Sequence, residues 1–123
     1  MQIPSFHDGR FNGFRIGADK QVQLYLTTVE RESFVLLLEG VEALTLTSIK
    51  EGNIILDLVI RSGHELTASD KEQVYGMGDT PTVVEKRFKA AVEKQFQLLE
   101  INPSYGAEAL VLFRTWKLQR QTD

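Results

Sequence analysis

The stretch from Val41 to Arg61, VEALTLTSIKEGNIILDLVIR, decides how the fold is read. Two apolar runs meet at Glu51-Gly52-Asn53, where Gly and Asn tolerate positive φ and let one run fold back on the other as a hairpin. In the second run Ile54, Leu56, Leu58 and Ile60 share one face, while Asn53, Ile55, Asp57, Val59 and Arg61 share the other. That period of two fits a strand and no helix. Ile55 and Val59 keep the second face partly apolar, which sets the strand inside a sheet, with the core on one side and a smaller element on the other.

Working outward toward the N-terminus, the turn-forming Asp8-Gly9 pair leads into a short aromatic strand, Arg10 to Ile16. Val22, Leu24 and Leu26 then alternate with Gln21, Gln23, Tyr25 and Thr27, a strand with one dry and one wet face. Phe34 to Leu38 is five apolar residues in a row between turn-rich flanks, short enough to be a buried strand, and Gly40 ends it. The N-terminal half therefore reads as about five strands in an antiparallel meander.

Toward the C-terminus, His64 to Asp79 is polar and has no sustained period, with room for a short helix at 69–75. Thr80-Pro81 opens a helix over Pro81 to Gln95, with Thr80 as N-cap and an apolar stripe of Val84, Phe88, Ala91, Val92 and Gln95. A single stripe needs a sheet to lie on. Phe96 to Ile101 resumes a strand, Asn102 to Gly106 reads as a loop, and Ala109 to Leu118 is a final strand before a polar tail. The expectation is one α+β domain over residues 1–123: an antiparallel meander, or a partly open barrel or sandwich, with one main helix packed on it. The final strand and the strand from Arg10 to Ile16 are its expected exposed edges.

The 123 residues carry 14 Lys and Arg against 17 Asp and Glu, a net charge of −3, and no cysteine. With a pI near 5.4 this argues against a binder of nucleic-acid backbones and leaves a basic protein partner open. Without cysteine there are no disulfides, thiolate metal sites or thiol nucleophile, in keeping with a reducing cytoplasm. No stretch is long and charge-free enough to cross a bilayer.

His7-Asp8 is the pair that acid/base chemistry would use, and His64 with Asp8 or Glu65 would complete a set of two histidines and a carboxylate for a metal. Adjacent residues on an extended chain point apart, and no His-x-x-x-His spacing is present, so a packed or capping His7 and an Asp8 that supports the turn account for the pair as well. Ser104-Tyr105-Gly106 lacks a nucleophile elbow and reads as a turn that presents Tyr105. Gly76-Met77-Gly78 lacks the lysine of a phosphate loop. Alternation groups Trp116 with Leu110, Leu112 and Leu118 as core. Glu30, Glu32, Glu39 and Glu42 surround neighbouring turns, either as a solvated rim or as a surface that steers a basic partner.

Phe6-His7-Asp8-Gly9, Leu38-Glu39-Gly40-Val41, Gly52-Asn53-Ile54-Ile55-Leu56-Asp57 and Ser104-Tyr105-Gly106-Ala107-Glu108 together resemble small bacterial domains similar to the immunity-protein families of polymorphic toxin systems. The resemblance implies an antiparallel sheet protein that binds and neutralises a partner protein and has no catalytic motif. Two functions are expected as alternatives. The first is that of a non-catalytic cytoplasmic protein without cofactor or metal, which binds a protein or a second copy of itself through a sheet edge or the acidic turns. The second is that of a small-ligand or metal-binding barrel, with enzymatic use of His7, Asp8 and His64.

Overall fold

The computed structural model describes residues 3–62, 65 and 80–121. In chain order the elements are β1 (Arg10–Ile16), β2 (Val22–Thr27), β3 (Ser33–Glu39), β4 (Ala43–Thr47), β5 (Asn53–Ser62), α1 (Pro81–Glu93), β6 (Gln97–Tyr105), β7 (Glu108–Phe113) and β8 (Thr115–Arg120). The eight strands form a single antiparallel sheet in the order β4-β7-β6-β5-β1-β2-β3-β8.

This sheet cannot be flat. β7 and β8 stand six strand spacings apart in that order, roughly 29 Å in a flat sheet. The single residue Arg114 joins them, and the two Cα steps from Phe113 to Thr115 reach no further than about 7 Å. Gly40 to Glu42 joins β3 to β4 across the same separation. The sheet therefore rolls until its two ends meet. β3 with β4, and β8 with β7, make one long antiparallel pair that bends in the middle, its ladder running from Phe34↔Arg120 to Glu39↔Thr115 and resuming one residue out of step from Ala43↔Leu112 to Thr47↔Glu108. At the bend Gly40 has φ +66° and lies so close to the Arg114 side chain that a Cβ would meet it at 3.0 Å. Arg114 N–H donates to the Glu39 carbonyl at 3.0 Å, and Glu42 N–H to that of Leu112 at 2.8 Å.

Rolling makes the core from the two inner faces of one sheet. Val22, Leu24 and Leu26 of β2 and Leu36 and Leu38 of β3 meet Ile55, Leu99, Ile101, Val111 and Phe113 from the other half, all nearly or fully buried. Each such side chain contributes about 1.5–3 kcal/mol of burial. Phe6 closes one end, its ring edge-on to Phe34 at 5.8 Å between centroids.

The structure corrects several expectations. First, the fold is not α+β with a main helix packed on the sheet: among the described residues the architecture is predominantly antiparallel sheet. Thr80 Oγ1 does accept from Val83 N–H at 3.3 Å and α1 comes directly after it, but every extensive packing contact among the described residues joins strand to strand. The side chains of Val84, Phe88, Ala91 and Val92 lie outside the described residues, as do the short helix expected at 69–75 and Gly76-Met77-Gly78. The sheet buries its inner face against itself, so no helical layer is needed to make a core.

Second, β4 and β5 do not pair as a hairpin: β4 pairs with β7, and β5 with β6 and β1. Gly52 does turn, at φ +75°, but Asn53 diverts β5 away from β4. Its buried Oδ1 accepts from Lys50 N–H and Ala107 N–H, both at 2.9 Å, and its Nδ2 donates to the Phe11 carbonyl at 3.4 Å. One side chain thus ties the turn to β1 and to the β6–β7 connection.

Third, β5 does not keep one face. The register slips between Ile54 and Ile55 and between Ile55 and Asp57, so Asn53 and Ile55 point inward, Leu56 is 46% exposed, and Leu58 and Ile60 return to the core. A bulge adds one residue and reverses the alternation beyond it. Fourth, the bend at Arg114 does the same to the last strand: Trp116 and Leu118 pack with the Ala109, Val111 and Phe113 face, not with Leu110 and Leu112, while Asn102 to Tyr105 is strand rather than loop.

Candidate functional site

His7 and Asp8 are brought together, because Asp8 adopts φ +60° in the Phe6–Gly9 turn, which is closed by Gly9 N–H donating to the Phe6 carbonyl at 2.8 Å. His7 Nδ1–H donates to the Leu56 carbonyl at 2.7 Å. That leaves Nε2 as the nitrogen 3.5 Å from Asp8 Oδ2, where attraction requires the imidazolium. The two side chains are 61% and 60% exposed, so water screens the pair and no enclosed reaction site surrounds it. His64 lies outside the described residues. Among the described residues no group of three His, Asp or Glu side chains is placed to hold a metal.

The acidic residues are not one cluster. Glu32 pairs with Arg120 at 2.8 Å, Glu39 with Lys117 at 3.7 Å and Glu42 with Lys20 at 4.0 Å. Glu32 and Glu39 flank β3 at opposite ends, and seven extended residues separate them by roughly 20 Å. Glu30 is exposed on the β2–β3 turn. Tyr105 is exposed at the end of β6, opposite Ile54.

What the topology does create, among the described residues, is an open edge at β8. β8 and β4 are the terminal strands of the order; β1, expected at an edge, lies between β5 and β2 but pairs with β5 only through Arg10 and Phe11, so its β5 side lacks a ladder partner beyond Phe11 among the described residues. Gln121 N–H donates to the Ser33 carbonyl at 2.8 Å. With the pairs Val35↔Gln119 and Leu37↔Lys117 this assigns the β3-facing hydrogen bonds to the odd-numbered residues. The backbone N–H and C=O of Trp116, Leu118 and Arg120 therefore point outward. A groove of about 420 Å³ runs beside them, lined by Trp116, Lys117, Leu118 and Gln119. No helix among the described residues is long and apolar enough to cross a membrane.

Sequence reasoning named the final strand as an edge but missed Arg120 and the outward parity. The bulge at Arg114 that sets this parity leaves no mark on hydrophobic alternation. Compared with known protein families, curated proteins and solved structures, the chain finds no match.

Proposed function

We propose that this chain is a non-catalytic cytoplasmic binding protein that receives an extended segment of a partner protein alongside β8. The observation that carries the reading is the outer edge of β8, unpaired among the described residues, a ladder of backbone donors and acceptors that a foreign strand satisfies. Trp116 and Leu118 stand at the groove beside it and supply side-chain selectivity at alternate positions. Glu32 and Glu39, at the two ends of the β3–β8 pair, are already paired with Arg120 and Lys117 of β8, so the backbone ladder carries the recognition. The resemblance to immunity proteins supports the same class of work, capture of a partner protein.

Arg120→Pro tests the reading. It removes an outward N–H and leaves the hydrogen bonds to β3 in place, and edge strands tolerate such a proline. Arg120→Ala serves as control, since it loses only the pair with Glu32. Light scattering and pull-down with the full chain are expected to show association that the proline variant loses and the alanine variant largely keeps. Equal association by both variants, or a strict monomer that captures no protein at low salt, overturns the proposal.

A further inference from the structure

We propose that the cleft between the turn preceding β1 and the β2–β3 turn is a binding site for the phosphate group of a small molecule. The cleft encloses about 620 Å³, and Arg10, Arg31, Thr28, Ser33 and Asp8 are among its lining residues. It exists because Gly9 runs against the carbonyl of Thr27 so closely that a Cβ would overlap it, which brings the two turns together. Neither arginine is engaged: among the described residues, neither the Arg10 nor the Arg31 guanidinium has an ion pair or hydrogen bond. Of the nearby acids, Glu32, next to Arg31, is held by Arg120 at 2.8 Å, while Glu30 is exposed on the same turn and Asp8 lines the cleft 3.5 Å from His7 Nε2.

The donors come from different elements. Arg10 lies opposite Thr27 on β1, and Thr27 opposite Ser33 on β3, so a guanidinium and two hydroxyls form one row on the outer face, the hydroxyl oxygens 3.4 Å apart. Arg31 enters from the turn, with φ +70° and its N–H donating to the Thr28 carbonyl at 2.9 Å. Thr28 Oγ1 already accepts from Glu32 N–H at 3.1 Å, which leaves its own proton to donate. Two arginines from separate elements, with hydroxyls among the same lining residues, suit a tetrahedral oxyanion better than a planar carboxylate, which one arginine fork satisfies in its own plane. In a chain of net charge −3, two unpaired arginines at one concave site attract an anion that the rest of the surface repels.

Titration calorimetry with inorganic phosphate, using acetate as the planar anion, tests the site. Saturable phosphate binding with a dissociation constant of about 1 mM or tighter is expected, with acetate weaker. Arg31→Gly suits the left-handed backbone at that position and so removes the charge without harming the fold. Together with Arg10→Gln it is expected to weaken phosphate at least about 10-fold per variant, the loss of one charge-assisted hydrogen bond. Arg15→Gln, on β1 but outside the cleft, leaves binding unchanged. Absence of saturable binding, an equal loss in Arg15→Gln, unchanged binding in the folded double variant, or acetate binding tighter than phosphate overturns the assignment.

Discussion

β2 and β5 are both alternating apolar strands, and only one of them keeps its faces. In β2, Val22, Leu24 and Leu26 point inward along its length, in unbroken register with β3, and the bulge in its other ladder falls on β1 between Phe11 and Gly13. In β5 the inward residues are Asn53 and Ile55, then Leu58 and Ile60, with Leu56 turned to solvent between them. Alternation identifies a strand. Which face is inside, and for how far, is set by bulges and by side chains that bond to a distant backbone, as Asn53 does.

The largest effect is expected at the contact that holds β5 in this arrangement. Gly106 has φ +88°, and a Cβ there would overlap Asn53 Oδ1. Gly106→Val adds backbone strain to the loss of the buried hydrogen bonds at Asn53, about 4 kcal/mol or more in urea unfolding. A variant as stable as wild type would mean that the β6–β7 connection does not rest on Asn53.

The comparison itself is sharpened by truncating one leucine in each strand. Leu24→Ala empties a fully buried site, with an expected cost of about 2–5 kcal/mol. Leu56→Ala removes a side chain that is 46% exposed and is expected to cost less than about 1 kcal/mol. Equal midpoint shifts would show that Leu56 is inside and that β5 keeps a single face after all.

Asn53→Ala comes next, at about 2–3 kcal/mol, because it strands the Ala107 N–H beside a buried cavity while the Phe11 carbonyl and Lys50 N–H lose their partner. Gly52→Ala is expected to cost only about 1 kcal/mol: φ is +75°, but the space around a Cβ is open, so conformational strain is the whole effect. An Asn53→Ala cost no greater than that of Gly52→Ala would assign the turn, rather than the side-chain bonds, the task of steering β5.

These contrasts mark what the residues disclose in advance. The β2 alternation, the five-residue apolar run in β3 and the Gly52 turn were legible because they are local. The hairpin of β4 with β5 was a sound local inference defeated by Asn53, whose partners Phe11 and Ala107 lie 42 and 54 residues away. An apolar stripe on Pro81 to Gln95 suggested a helical layer, yet the rolled sheet supplies its own second wall through the bends at Gly40 and Arg114. Of the candidate residues, His7 and Asp8 do meet, because positive φ at Asp8 defeats the rule for extended neighbours. The acids spread along β3 because proximity in sequence across a strand is distance in space. Arg31 is hidden in the sequence between Glu30 and Glu32, and only the structure shows Glu32 held by Arg120.

The smallest expected effect has the opposite sign and tests whether the β2–β3 turn is as regular as the strands it joins. Arg31 adopts φ +70°, a left-handed conformation that costs a residue with a side chain about 1–2 kcal/mol. Glycine removes that cost and gives back roughly 0.5–1 kcal/mol through the greater freedom of its unfolded chain. Arg31→Gly is therefore expected to stabilise the protein by about 0.5 kcal/mol, a rise of a few degrees or less in Tm for a domain of this size. The turn bonds between Arg31 N–H and the Thr28 carbonyl and between Thr28 N–H and the Glu32 carbonyl are both backbone and survive the change. A loss of stability would mean that the guanidinium makes a stabilising contact and is not an unpaired charge at the cleft. A gain would show that β2 and β3, regular on both sides of the turn, hold one strained residue between them.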